Sequence, residues 1–465
     1  MNDPTVALGY HQGASWLLLG IALLMGVVIL VVPRQKALLP IILISCFLPI
    51  SEKLVIGGLN FSMLRLVVAF GWIRLALHGE FRQIRWLKLD RVFLLWAAVR
   101  VIAFTLLWHN TAALVNGLGY AFDEVGLFLL FRALIRDTDD FKRIAKWFAL
   151  AFIPLAILMV LEKITARDPF YILGGVPEMS TIRDGIIRAQ GPLGHPILAG
   201  TFGAVCVPLF GMLWIQGRRY RLIAGCGLVC AALITIASGS SGPIGSYAAG
   251  IFGIGLWKMR DRLRQLRWAL VAIICALQLV MKDPVWFIFA RVDVLSGSTG
   301  WHRSYLIDRT IAHFGEWWLC GAKDISQWGV WAGDTTNQFI TEGIRGGLFT
   351  MLLFVWIVVV AFSYAGSALK AARQEPRRVQ LMLWCIGVAV FSHVVSFMGV
   401  AYFDQNVVNW YLVLAMVAAA YQVYVGRKIS RPEGEVLQAA DQPSLYGTAE
   451  TPATIESLIH SIDLD

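Results

Sequence analysis

Long apolar segments separated by short charged connections run along the chain from residue 16 to residue 425. A helix needs roughly 20 apolar residues to cross the hydrocarbon core of a bilayer. We therefore predict an all-α polytopic membrane protein with about 12 or 13 transmembrane helices, of which the second is short. The predicted spans are 16–32, 37–50, 61–77, 92–108, 112–131, 146–161, 197–215, 222–238, 244–258, 268–281, 346–365, 380–398 and 407–425.

Positive charge is concentrated in every second connection between these spans. The basic connections are 33–36, 80–91, 132–145, 217–221, 258–267, 370–378 and 426–431. Because Lys and Arg accumulate in cytoplasmic loops, we expect these connections in the cytoplasm, with the N-terminus outside and the C-terminus inside. The first apolar segment lacks the positive leader of a cleaved signal peptide, so we interpret residues 16–32 as a retained span.

One transmembrane domain over residues 1–425 accounts for this pattern. Residues 426–465 contain Pro, Ser and acidic residues without apolar periodicity, which predicts a disordered cytoplasmic tail. Two connections on the predicted outer side are long, 162–196 and 282–345, and both contain several arginines. Arginine there is not needed to set the topology, so we expect it to serve a ligand.

The composition supports a membrane protein and excludes several functions. Of the residues, 58% are hydrophobic and 15% are charged, and the mean hydropathy is +0.67, whereas soluble domains contain about 25% charged residues. The cytoplasmic loops account for the net charge of +10, so we expect no nucleic acid partner. The sequence has neither a phosphate-binding G-x-x-x-x-G-K-[ST] motif nor carboxylates at metal-ligand spacing, so we expect no cofactor and no metal.

The outer loops contain the candidate chemistry. Arginine presents a planar fork of donors that suits phosphate, and Arg188 and Arg303 together could bind a diphosphate and neutralise it as a leaving group. Each arginine could instead extend to lipid headgroups. The imidazoles of His195 and His302 lie in the same loops and suit acid–base work. Six tryptophans of the second loop suit either an interfacial belt or the stacking of flat rings on sugar.

Three charged residues fall within predicted spans. Arg100 lies in the fourth span, and Asp123 and Glu124 lie in the fifth. Charges inside a membrane are costly and are usually paired, so one interpretation is a structural pair between Arg100 and Asp123 or Glu124. The alternative is a proton or ion relay, which would indicate a transporter.

Three segments resemble the bacterial O-antigen ligase and O-antigen polymerase superfamily. They are RAQGPLGHPILAGTF (188–202), ASGSSGPIGSYAAGIFGIGLWKMR (237–260), and WHRSYLIDRTIAHF (301–314) followed by DTTNQFITEGIRGGLFTMLLF (334–354). The resemblance covers roughly residues 145–400. It implies a glycosyltransferase of the bacterial inner membrane that uses undecaprenyl-diphosphate-linked glycan at the periplasmic face. It also implies a large periplasmic loop, which we expect to be partly helical, with residues 302–316 lying along the membrane surface.

One departure favours a polymerase within this superfamily. The ligases have a histidine where this chain has Thr336, before Asn337. The base that activates the acceptor is then expected among His195, His302, Asp334 and Glu342, beside the catalytic arginines. The expected substrate-binding residues are Arg183, Arg309, Arg345, Asn337, Trp301 and Trp331.

Two alternatives remain open beside the polymerase. The first is a ligase that moves glycan to a lipid or protein acceptor from the same donor site. The second is a transporter of polysaccharide or lipid-linked oligosaccharide that works through Arg100, Asp123 and Glu124. Other polysaccharide assembly or export proteins are possible partners.

Overall fold

The structure is a computed structural model that describes residues 16–50, 52–56, 59–288, 299–329 and 335–426, and it is mainly helical. The helices are α1 (Trp16–Val31), α2 (Leu38–Phe47), α3 (Met63–Leu77), α4 (Lys88–Trp108), α5 (Thr111–Leu134), α6 (Thr138–Thr165), α7 (Pro196–Val205), α8 (Val207–Ile215), α9 (Arg218–Ala237), α10 (Ser241–Gly255), α11 (Leu263–Val280), α12 (Thr299–Ala312), α13 (Phe314–Trp317), α14 (Gln338–Ala371), α15 (Arg377–Phe397) and α16 (Gln405–Tyr421). Two antiparallel hairpins pair β1 (Lys53–Ile56) with β2 (Leu59–Ser62) and β3 (Thr181–Arg183) with β4 (Ile186–Arg188).

Among the described residues, nine helical segments are long and apolar enough to cross a membrane. This indicates a multi-pass membrane protein. Every predicted span falls on a helix, but α1, α2 and α3 have 16, 10 and 15 residues, fewer than a perpendicular crossing needs. The predicted span 197–215 is divided at Cys206 into α7 and α8, because Pro208 has no N–H to continue the helical hydrogen bonds. The predicted tail after Gly426 lies outside the described residues.

The most enclosed helices are α7, α8 and α16. Small and apolar side chains fill α16 from Leu412 to Ala420, and all of them are buried. Small residues let neighbouring helices approach closely in a membrane protein. By contrast, none of the residues of α11 is buried in the part of the chain that the structure describes.

Buried ion pairs and amide contacts define the two ends of the bundle. At the end that we call the basic side, Arg132 pairs with Asp90 at 2.8 Å. At the opposite end, the Gln405 side chain donates to the carbonyls of Leu48 and Pro192, both at 2.9 Å. We call this end the loop side, because the connections after α6 and before α14 emerge there.

The first connection on the loop side is anchored to the end of α6. The β3–β4 hairpin turns through Asp184 and Gly185, which have φ angles of 52° and 74°. Glu162, in the last turn of α6, is fully buried and accepts hydrogen bonds from this connection. The hairpin therefore holds Arg188 at a fixed place above the bundle.

The second connection has its own small apolar core against α14. Its buried members are Leu306, Trp317, Ile325, Trp328, Ile340 and Ile344. The predicted helix over 302–316 is present as α12 and α13, with an interruption at His313. The connection ends earlier than the predicted boundary at 345, since α14 begins at Gln338.

Candidate functional site

The Ser/Gly-rich turn before α10 forms the centre of the candidate site. Gly239 has a φ of 59°, and a Cβ there would lie 3.1 Å from Cγ of Arg188. The Ser240 side chain does not cap the helix; its hydroxyl accepts from Nη2 of Arg188 at 2.6 Å and donates to the Ser238 carbonyl. The first amides of a helix have no partner within the helix. In α10 the third residue is Pro243, which has no N–H, so the donors at this helix start are the amides of Ser241 and Gly242.

Arg188 lies in a group of cations on one side of this turn. The register of the hairpin pairs Arg183 with Ile186 and Thr181 with Arg188, so Arg183 and Arg188 share a face of the two strands. Lys163 donates to the Ile187 carbonyl. Burial, and next the positive charge of Arg183, lower the pKa of the Arg188 guanidinium. Its Nε is buried without a hydrogen-bond partner among the described residues.

Arg303 reaches the same turn from α12. A Cβ on Gly242 would lie 2.8 Å from Nη2 of Arg303, and one on Gly399 would lie 3.0 Å from its Cζ. The guanidinium is therefore placed between the start of α10 and the end of α15. Ser240 is the residue before α10 and has extended backbone, whereas Gly242 is the second residue of the helix. Arg188 and Arg303 thus both lie at the start of α10.

The start of α7 adjoins this turn. Ile197 approaches Gly242, with 4.0 Å between its Cδ1 and a Cβ built there. His195 precedes α7, and its Nδ1 accepts from the Ile197 amide at 3.1 Å. Neutral His195 consequently has its proton on Nε2, which makes it a donor at that atom. Asp404 has a φ of 52°. Its carboxylate lies against the residue before His195, because a Cβ built on Gly194 would be 2.8 Å from Oδ2 of Asp404.

No protein-family model matches this chain, and no curated protein matches it. The chemistry of the site must therefore be inferred from its geometry. Two arginines, further cations and the start of α10 meet at the loop side, whereas the first amides of α7 donate to His195. Helix N-termini have a positive partial charge, and arginine binds phosphate through paired N–H donors. The arrangement suits a polyanion such as a diphosphate.

An aromatic stripe lies on α12, on the helix face opposite to Arg303, since residues two positions apart are separated by roughly 200° around the helix axis. The rings of Trp301 and Tyr305 stack with centroids 4.9 Å apart and planes inclined by 13°. The guanidinium of Arg309 lies 4.9 Å from the centroid of Tyr305, and residues four apart share a helix face. Trp301, Tyr305 and Arg309 therefore form one stripe. His302 is half-buried and lies one position before Arg303 on the same helix.

The remaining predicted residues lie at or inside the start of α14. Asn337 is buried and caps α14, accepting from the amides of Phe339 and Ile340 at 2.9 and 3.2 Å. The hydroxyl of Thr336 is buried without a hydrogen-bond partner among the described residues. Arg345 is exposed on α14. Asp334 and Trp331 lie outside the described residues.

Glu342 belongs to a charge cluster within the bundle. Its carboxylate accepts from Trp96 at 3.1 Å and from Gln338 at 2.7 Å, and it lies 3.9 Å from Arg100. Arg100 is bonded to both oxygens of Glu124 at 2.6 Å. These contacts make Glu342 a poor candidate for the base.

The structure resolves the alternative pairs predicted for Arg100. Asp123 is bonded to Arg65 at 2.8 Å, so the partner of Arg100 on α5 is Glu124. A cavity of about 30 Å³ lies beside the cluster, and its lining includes Trp96, Arg100, Glu124 and Glu342. A water needs roughly 10–15 Å³ of such volume, so the cavity has room for about two.

Several residues of the site were not predicted from the sequence. Lys163 falls in the predicted connection 162–196 but was not singled out there, and Asp404 lies in a short connection between two apolar segments. Gly242 falls in the Ser/Gly-rich turn, but its contact with Arg303 joins positions far apart in the chain. The contact of Asp404 with Gly194, beside His195, likewise depends on the fold and joins positions far apart in the chain.

Proposed function

We propose that the chain is a membrane glycosyltransferase that polymerises undecaprenyl-diphosphate-linked glycan repeats at the periplasmic face of the bacterial inner membrane. The observation that carries the proposal is the placement of both arginines at the start of α10, Arg188 against Ser240 and Arg303 against Gly242. The identity of the donor, an undecaprenyl-diphosphate-linked glycan, is what the resemblance to the O-antigen ligase and polymerase superfamily implies. The 12 or 13 spans and the orientation with the loop side in the periplasm are part of the same proposal.

The proposed reaction transfers a glycosyl group without a nucleotide. The acceptor hydroxyl forms a bond to the anomeric carbon as the bond from that carbon to the diphosphate oxygen breaks. Arg188, Arg303 and the first amides of α10 stabilise the negative charge on the departing diphosphate. The acceptor proton passes to a carboxylate, for which we choose Asp404, and His195 donates through Nε2 to the anion.

The aromatic stripe provides a surface for the sugar. The exposed face of Trp301 is flat and apolar, and Arg309 adds hydrogen-bond donors at the other end of the stripe. A glycan lying along this face of α12 would have to pass around the helix to reach Arg303, which lies on the opposite face. A ligase would use this same donor site and differ only in its acceptor, so the product separates the two activities: a longer lipid-linked chain for a polymerase, and modified lipid or protein for a ligase.

The test is turnover by purified protein in nanodiscs. We expect the wild-type chain to elongate a lipid-linked repeat without added nucleotide or metal. Arg188→Ala and Arg303→Ala should each lower the rate by about 10²-fold or more, the effect of removing one oxyanion donor. Arg219→Ala, an exposed arginine at the start of α9 on the basic side, is the matched control. Elongation that survives both loop-side substitutions would falsify the proposal.

A transporter is the second candidate, and the charge cluster around Arg100 is the observation that favours it. A cavity of about 30 Å³ admits a proton or a small ion but not a sugar. In cells, loss of export in Arg100→Ala, together with unchanged glycan chain length in Arg303→Ala, would support the transporter and contradict the transferase.

A further inference from the structure

The last turns of α6 hold the backbone on both sides of Arg188. Before Arg188, the carbonyl of Ile187 accepts from the side chain of Lys163. After it, the amides of Gln190 and Gly191 donate to Oε1 and Oε2 of Glu162 at 2.9 and 2.8 Å.

The Glu162 carboxylate is well matched to this task. It is fully buried, and its third hydrogen bond comes from the hydroxyl of Ser180 at 2.9 Å. Hydrogen bonds to a charged acceptor are roughly twice as strong as those between neutral groups. A glutamine could not replace it, because its amide group would direct a donor at one of the two backbone amides.

Besides these bonds to α6, the segment is held by the pairing of Arg188 with Thr181 in the hairpin and by one bond to α9. The Ala189 amide donates to the Ala237 carbonyl at the end of α9, and Gly191 has a φ of 56°. The position of the Arg188 guanidinium against Ser240 therefore depends on where α6 places residues 187–191.

We infer that Glu162 is a positioning residue for Arg188, which fixes the guanidinium in the geometry that binds the diphosphate of the donor. The inference rests on the proposed function. Glu162 does not contact the substrate; it acts through the backbone of Gln190 and Gly191.

A double-mutant cycle tests this role. In nanodiscs, Glu162→Gln should lower kcat/KM for the lipid-linked donor on the order of 10²-fold, as a displacement of about 1 Å does in other enzymes, and leave KM for the acceptor unchanged. In the Arg188→Ala background the same substitution should have no further effect, because residues that act through one another are not additive. Ser180→Ala, which removes one bond to Glu162 and leaves both backbone amides in place, should stay within about twofold of wild type.

The outcomes separate the inference from the proposed function. If Arg188→Ala lowers turnover but Glu162→Gln lowers it equally in both backgrounds, the positioning role is wrong and the transferase stands. If Arg188→Ala has no effect, both are wrong. If Glu162→Gln does not fold, Lys163→Met replaces it, because it removes the bond on the other side of Arg188. We expect Lys163→Met to lower kcat/KM in the wild-type background and to have no further effect in the Arg188→Ala background. Binding of inorganic diphosphate, measured by thermal shift, should weaken in each positioning variant and not in Ser180→Ala.

Discussion

At the scale of single residues, the contacts between Arg303 and two glycines allow the site to be tested without removing a charge. A Cβ on Gly242 would meet the end of the Arg303 side chain, whereas Gly245, one turn further along α10, has nothing within 4 Å of its Cβ position. The end of an arginine side chain moves easily, so an added methyl group should displace the guanidinium and leave the fold intact.

We therefore predict that Gly242→Ala lowers glycan elongation by about 10-fold or more while the unfolding temperature stays at or above the wild-type value. Alanine in place of glycine stabilises a helix by roughly 0.5–1 kcal/mol, which offsets the local adjustment. Gly245→Ala should retain wild-type turnover. Equal activity of the two variants would show that the position of Arg303 against α10 is unimportant.

A buried carboxyl at the loop side makes stability depend on pH. Burial, and next the charge of Glu162, raise the pKa of Asp168 to about 8, against roughly 3.9 in an unfolded chain. Between these values the folded chain binds a proton that the unfolded chain releases. The contribution of Asp168 to stability is then full below about pH 4 and is lost as the pH rises toward 8.

Asp168→Asn should remove this dependence. Its side chain stays neutral and still offers an oxygen to the Phe170 amide, which Oδ1 of Asp168 now accepts at 2.8 Å. We compare the unfolding temperatures of the variant and wild type in detergent. The unfolding temperature of the variant should increase relative to that of wild type as the pH increases from 5 to 8. Asp184→Asn, on the exposed hairpin turn, is the control and should follow the wild-type curve; a parallel curve for Asp168→Asn would contradict the prediction.

Residue chemistry explains which site residues could be predicted. Arg188 and Arg303 stand out because arginine in a predicted outer loop is not needed for topology. Glu162 and Lys163 fall at the start of the predicted connection 162–196, directly after an apolar span, where a charge suggests only an extended side chain. Their contacts with the segment around Arg188 depend on the fold of the hairpin, which no local pattern specifies.

At the scale of elements, Asn337 has a structural role as the cap of α14, although the sequence resemblance associates this residue with substrate. Asn337 has its Oδ1 committed to two backbone amides. Loss of such a cap costs about 1 kcal/mol, and aspartate caps as well as asparagine.

Asn337→Ala should therefore lower the unfolding temperature, and Asn337→Asp should restore both that temperature and turnover. A group that binds substrate through its NH₂ would not tolerate the carboxylate. If Asn337→Asp is stable but inactive, Asn337 contacts the substrate as well as capping the helix.

Helix boundaries also show where sequence patterns are insufficient. Hydropathy places the nine helical segments that are long and apolar enough to cross a membrane, because burial in lipid depends on composition over a long window. The break between α7 and α8 follows from Pro208, and the early start of α14 follows from the cap at Asn337. Both depend on backbone hydrogen bonds that a hydropathy window does not register.

At the scale of the whole molecule, the alternation of basic and non-basic connections predicts the orientation. In a background with the seven native cysteines replaced, Ile182→Cys on the hairpin and Arg219→Cys on the basic side report opposite faces. We expect a membrane-impermeant maleimide to label the first in cells with a permeable outer membrane, and the second only after lysis. The reverse pattern would place the loop side in the cytoplasm.

The charge cluster inside the bundle provides the last test, because it separates stability from catalysis. Removing Arg100 would leave the half-buried carboxylate of Glu124 and the buried carboxylate of Glu342 without the cation that now lies between them. Breaking a buried pair by removal of one partner costs roughly 3–5 kcal/mol. We expect Arg100→Ala to reduce the yield and unfolding temperature strongly, with the turnover of the remaining folded protein close to wild type.

Arg303→Ala should behave in the opposite way, with normal stability and little turnover, since its guanidinium lies at the surface of the bundle between two helix ends. The comparison requires turnover per mole of folded protein, measured after size-exclusion chromatography. If stable Arg100→Ala protein were inactive, the intramembrane cluster would take part in the reaction cycle, and the transporter would become the better account of the chain. If only Arg303→Ala is inactive, the helices support the fold and the loop side performs the chemistry.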